Sequence, residues 1–210
     1  VKPLLCVVDT NSLIHMRDIR VARRYLGLWL WREFTVGVSD KIIEEVQKQR
    51  KYHPSHHIQR KCTKSKWAFQ NQIDKLENVF LRPFYPNMEG DKDKGELHNC
   101  CVALEAILND KHRQIIFLTD ELHSTNPCKK GFIYCIFDTY PIGKIWSSLD
   151  FILYLFLRHR KNFSLPEAEN VLRDVNSRIG GKVEDAQKRL TTFNQKLRQI
   201  DLTLSQLRSL

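Results

Sequence analysis

Two short apolar runs, Leu4 to Val8 and Gln114 to Leu118, both lead into an aspartate, Asp9 and Asp120. A strand without polar alternation is buried on both faces, the condition of a parallel sheet covered by helices on its two sides. After the first run, Asp9-Thr10-Asn11-Ser12 are turn and helix-capping types, so a helix is expected to start there and Asp9 to stand at the carboxyl end of its strand. That edge is where doubly wound α/β sheets hold ligands. A carboxylate there either caps the next helix or answers to a cation or basic partner, and for Asp9 both readings stand.

The rest of the chain alternates strand and helix. A basic, aromatic stretch from Asp18 to Arg32 reads as helical, Phe34 to Val38 as a short strand, and Ser39-Asp40 as the cap of an amphipathic helix with Ile42, Ile43 and Val46 on its apolar face. Asn78 to Tyr85 and Phe132 to Phe137 read as further strands. Helices are expected over about 95–109, 145–159 and 165–179, with a Tyr140-Pro141-Ile142-Gly143 turn before the second of these. Residues 1–180 form the expected α/β domain, a doubly wound, mostly parallel sheet flanked by helices. Gly180-Gly181 marks its boundary. Beyond it, Val183, Ala186, Leu190, Phe193, Leu197, Ile200, Leu204 and Leu207 follow a heptad spacing, so 182–210 is expected to be one helix. Its narrow seam needs cover from a second copy, another protein or the chain's own helices, and the expectation favours an intermolecular contact.

Lys and Arg number 34 against 24 Asp and Glu, a net charge of +10. Such an excess favours a polyanionic partner, although many of these charges also serve simply to solvate helix faces. They concentrate in a polar insertion, residues 47–68, where Arg50, Lys51, Arg60 and Lys61 are the expected nucleic-acid contacts. Six scattered cysteines form neither a disulfide framework nor paired zinc ligands. No apolar run is long enough to span a membrane and no secretory leader is evident, so the expected compartment is the cytoplasm. His53, His56, His57 and Cys62 lack the spacing of a structural zinc site. Cys100 and Cys101 read as packing residues within a helix.

Four acids stand in βα order: Asp9 and Asp120 at strand ends, Glu45 on the helix beyond the second strand, and Glu96 at the start of the helix that leads to the Asp120 strand. All four are expected to point at one edge of the sheet. Carboxylates gathered in this way can hold one or two divalent cations for phosphodiester hydrolysis. Singly, Glu45 and Glu96 are as well explained as solvated helix residues. Asn11 stands where a haloacid dehalogenase-type phosphatase requires a second aspartate, and no glycine-rich phosphate loop is present.

Here the chain resembles the PIN-domain nucleases. Val7-Val8-Asp9-Thr10-Asn11-Ser12-Leu13-Ile14 is similar to their opening strand and turn. Val38-Ser39-Asp40-Lys41-Ile42-Ile43-Glu44-Glu45-Val46 is similar to their second motif, with Glu45 favoured over Glu44. Gly95-Glu96-Leu97 and Phe117-Leu118-Thr119-Asp120 resemble the third and fourth. The resemblance spans about residues 4–179 and departs at the basic insertion and the heptad helix. It implies that Asp9, Glu96 and Asp120 hold Mg²⁺ or Mn²⁺, that Glu45 completes the catalytic set, and that Thr10, Asn11, Ser12 and Thr119 shape the phosphate site. Hydrolysis would leave 5'-phosphate and 3'-hydroxyl ends. RNA is the expected substrate and single-stranded DNA is chemically allowed; basic residues would track the strand while Trp67 or Tyr52 stacks on a base. Compact prokaryotic members are often toxin ribonucleases held by an antitoxin, so a toxin or defence role is one expectation. A PIN-like scaffold that binds RNA without cutting is the alternative.

Overall fold

The computed structural model describes residues 4–48, 56–86, 93–109 and 114–208. Strand β1 (Leu5–Val8) leads directly into α1 (Thr10–His15). A hairpin of β2 (Arg20–Val21) and β3 (Arg24–Tyr25), a 3-10 turn and the short α2 (Leu30–Glu33) bring the chain to β4 (Thr35–Gly37). Next come α3 (Asp40–Lys48), α4 (His56–Lys64), α5 (Ile73–Leu76) with a π-helical turn over Glu77–Leu81, and α6 (Lys94–Leu108). Strand β5 (Ile115–Leu118) is followed by α7 (Phe132–Thr139), β6 (Gly143–Trp146), α8 (Ser148–His159), α9 (Leu165–Ile179) and α10 (Val183–Arg208).

The main sheet runs β4-β1-β5-β6 with every pairing parallel, so the protein is α/β with helices on both faces. After β1 the chain crosses to β4 on one side and later returns to β5 on the other, which makes the β1–β5 boundary the point where the winding reverses. Ligands of open α/β sheets bind at the carboxyl end of such a boundary. Side chains alternate across it. Leu5, Val7, Ile115 and Phe117 pack with α6 and α7, whereas Cys6, Val8, Ile116 and Leu118 pack with α8 and α9. Each fully buried Leu or Phe stabilises the fold by about 1.5–3 kcal/mol, so these four-residue strands are held chiefly by the two apolar layers around them.

Several expected elements differ. Residues 18–32 are not one helix, only their second half being helical: Asp18, Ala22 and Arg23 adopt positive φ, and the hairpin is held as the Leu26 amide donates to Ile19 O and the Trp29 indole to Val21 O. Asn78 to Tyr85 is no strand but starts within the π-helical turn. Phe80 and Phe84 both pack on Tyr140, so tertiary contacts override β propensity there. Phe132 to Phe137 is helix α7, with Phe132, Ile133, Ile136 and Phe137 buried at helical spacing. The following helix starts only at Ser148, where Ser147 and Asp150 form a reciprocal capping box, and the residues before it become edge strand β6. Gly143 begins that strand because a Cβ there would lie 2.1 Å from the Ile115 carbonyl oxygen.

The C-terminal heptad does form one helix, and the middle of its seam is covered within the chain. Leu197 is fully buried, and Leu190, Phe193 and Ile200 pack against the core shared by α8, α9 and the sheet. The Arg189 guanidinium donates to Asn176 Oδ1 and to the Gly180 carbonyl, closing the α9–α10 turn. Val183, Leu202 and Leu207 remain exposed. Among the described residues no helix is long and apolar enough to cross a membrane.

Candidate functional site

Asp9 occupies the N-cap position of α1, yet its side chain makes no capping hydrogen bond and lies almost fully buried. It accepts instead from Thr119 Oγ1 at 3.2 Å. Helix capping is therefore not what the Asp9 carboxyl does. Thr10 Oγ1, one residue on, donates to Glu45 Oε2 at 2.6 Å, which joins α1 to α3. The other Glu45 oxygen rests against Gly95, 2.6 Å from where a Cβ would stand, so a side chain at this position of α6 would displace the Glu45 carboxylate. Glu44 turns outward to Lys41 at 3.1 Å. Of the two neighbouring glutamates, it is Glu45 that faces the site.

Glu96 follows Gly95 in the first turn of α6. Its carboxyl is pushed up to about 7, first by burial and then by the negative charges of Glu45, Asp93 and Glu121. Asp9 is raised well above the usual carboxylate range by burial, then by Glu96 and Glu45, against a smaller opposing effect of its hydrogen bonds. Asp9, Glu45 and Glu96, from three separate elements, thus form one electrostatically strained group. Among the described residues two buried oxygens on the neighbouring helices have no hydrogen-bond partner, Ser12 Oγ on α1 and Asn99 Oδ1 on α6, while Asn99 Nδ2 donates to the Val8 carbonyl at 3.0 Å and ties α6 to the end of β1.

Asp120 does not join this group. Its Oδ1 accepts from the Ser148 amide at 2.8 Å, and its Oδ2 accepts from Ser148 Oγ at 2.7 Å and lies 2.8 Å from His15 Nδ1. The cause is register. Val8 pairs with Leu118, so Asp9 is level with Thr119, and Asp120, one residue further, turns to the α8 side of the sheet. The expectation that all four acids point the same way is corrected to three plus one. Glu121 returns to the Asp9 side by the same alternation and is felt by Glu96; the sequence reading passed over it, as it did His15 and Ser148. The signal for Glu121 was present in Thr119-Asp120-Glu121, where counting by two from Thr119 finds it.

Among the other expected residues, Asn11 is half-buried and Ser12 fully buried. Arg60 and Lys61 are exposed on α4, where with Leu28, His57 and Lys64 they line a concavity of about 340 Å³. Ile58 and Cys62 hold the opposite face of that helix in the core, which separates Cys62 from the exposed His56 and His57. Arg50, Lys51, Tyr52 and His53 lie outside the described residues. Trp67 is half-buried; its indole donates to Glu105 Oε2 at 2.7 Å and packs on the α6 side of the core. Cys100 and Cys101 are buried packing residues, as expected. Among the described residues no three His, Cys, Asp or Glu side chains stand close enough to hold a metal ion as they are. Comparison of the chain with protein-family models, with curated proteins and with solved structures finds no match.

Proposed function

We propose that this chain is a metal-dependent endoribonuclease of PIN-like architecture that hydrolyses phosphodiester bonds at the Asp9, Glu45 and Glu96 cluster. The observation that carries the reading is the crowding of these acids at the carboxyl edge of a parallel sheet, against burial and mutual repulsion that raise Asp9 and Glu96. Such a group is unfavourable until a positive charge joins it, and its hard oxygen donors suit Mg²⁺ or Mn²⁺ in kind. As they stand the acids do not converge on one point. Binding would therefore draw them together. A bound cation would neutralise the charge that develops on the phosphate during hydrolysis.

The protein's own residues have separate roles in this reading. Thr119 orients Asp9, Thr10 orients Glu45, and Gly95 lets Glu45 lie beside Glu96. Asp120 positions the edge from the other face by fixing the first residue of α8 and His15. The cationic face of α4 supplies phosphate contacts, with RNA the proposed substrate and single-stranded DNA the second choice. A toxin or defence setting is proposed with it.

A specific observation favours the alternative, an RNA-binding scaffold that no longer cuts: both Asp120 oxygens are already engaged by protein groups. Labelled single-stranded RNA, structured RNA and single-stranded DNA incubated with Mg²⁺, Mn²⁺ or EDTA separate the two. The nuclease reading expects cation-dependent cutting of RNA that Asp9→Asn abolishes while RNA affinity stays within about twofold. Cutting retained in Asp9→Asn, or RNA bound but never cut with either cation, favours another centre or the scaffold.

A further inference from the structure

A cavity of about 390 Å³ opens on the same side of the sheet as Asp9, between β6, α7 and the segment after β5. It lies within the ~300–1,000 Å³ range of small-ligand pockets. One of its walls is Thr119, the residue that donates to Asp9, so cavity and acid cluster share a side chain. The remaining lining is chemically mixed. Tyr134 offers a half-buried ring beside Phe137; Leu122 is an exposed apolar side chain at the rim; Asp138 and Lys144 are exposed charges that form no ion pair among the described residues. A larger cavity of about 560 Å³ also touches Asp138 and Lys144, but it runs to Leu4 and Gln114 at the amino ends of the strands, away from the acids.

We propose that the smaller cavity is a subsite for one unpaired nucleobase of the nucleic-acid strand, guanine before the others, stacked on Tyr134 and read by the Asp138 carboxylate. Single-stranded bases are recognised in this manner, by an aromatic face and by hydrogen bonds to the base edge. A carboxylate has only acceptors to offer. Guanine alone presents a ring N–H and an amino group side by side on one edge, two donors for one carboxylate. A base seated here confers sequence preference, whereas Arg60, Lys61 and Lys64 in the α4 concavity suit phosphates.

This inference rests on the reading of the Asp9 cluster as the cutting centre, and its test is independent of cutting. The full chain is titrated calorimetrically with the four nucleoside 5'-monophosphates in EDTA. Guanosine monophosphate is expected to bind most tightly, and Tyr134→Ala to weaken it about tenfold, within the range of base stacking on aromatic side chains. Tyr134→Phe keeps binding within about twofold. Asp138→Asn, at an exposed position that folding tolerates, removes the preference among the four. Failure of all four nucleotides to bind at millimolar concentration, or unchanged binding in both Tyr134→Ala and Asp138→Asn, overturns the subsite. If RNA is never cut but guanosine monophosphate follows this pattern, the subsite stands and the nuclease reading falls. Cutting without base preference and without nucleotide binding gives the reverse.

Discussion

Glu96 and Asp9 carry protons more tightly in the folded, cation-free protein than carboxyls do in water, and stability follows from that sign. The Glu96 contribution is whole below its ordinary value of 4.5 and is lost as pH rises through about 7, and Asp9 acts in the same direction. The melting temperature in EDTA is accordingly expected to fall across that window, less steeply in Glu96→Gln. An identical slope in the variant would mean that Glu96 is not strained as described. The acids are legible in the sequence as types in order, and the spacing from Ser39 favours Glu45 over Glu44. What the sequence reading missed at this scale was one residue of register. Val8-Asp9 and Leu118-Thr119-Asp120 look alike as strand ends, but the extra threonine sends the second aspartate to the opposite face.

At the scale of elements, two buried interactions decide where helices sit. Glu105 on α6 is fully buried and accepts from the Trp67 indole, the Gln70 and Asn71 amides at 2.7 Å each, and the Asn71 side chain. It anchors the segment that follows the basic α4. Glu105→Ala would leave those donors unsatisfied, a loss of about 3–5 kcal/mol by analogy with breaking buried charged networks, measured by urea unfolding. A loss below 1 kcal/mol would show that water replaces the carboxylate. On α10, Leu197→Ala is expected to cost about 2–5 kcal/mol, because the side chain fills the core shared with α8 and α9. An unchanged unfolding midpoint would contradict that packing. The helices with clear caps or long periodicity, α9 and α10, were legible from sequence. The short apolar runs were not, since four to six apolar residues fit a buried strand and a buried helix face equally well, and neighbours decided: α7 formed where a strand was expected, and β6 where the end of a turn and the start of a helix were.

Across the whole molecule, the parallel sheet brings the carboxyl ends of β1 and β5 side by side, and α3 and α6 deliver their acids to that edge. The cationic face of α4 and the cavity beside β6 are separate features of the same fold. If α4 contacts the phosphate backbone, replacing Arg60, Lys61 and Lys64 with Gln should flatten the salt dependence of RNA binding by about 0.7 per lost contact in the log–log slope. An unchanged slope would remove α4 from the interface.

The central claim, that the strained acids await a divalent cation, does not require knowledge of the target RNA. Titration of the EDTA-treated, dialysed protein with Mn²⁺ near pH 6.5, in two buffers of different ionisation enthalpy, measures binding and the protons released with it. The account predicts binding accompanied by net proton release, with both lost or strongly weakened in Asp9→Asn and in Glu96→Gln. No binding by the wild type, or binding that both variants retain without change, would contradict it.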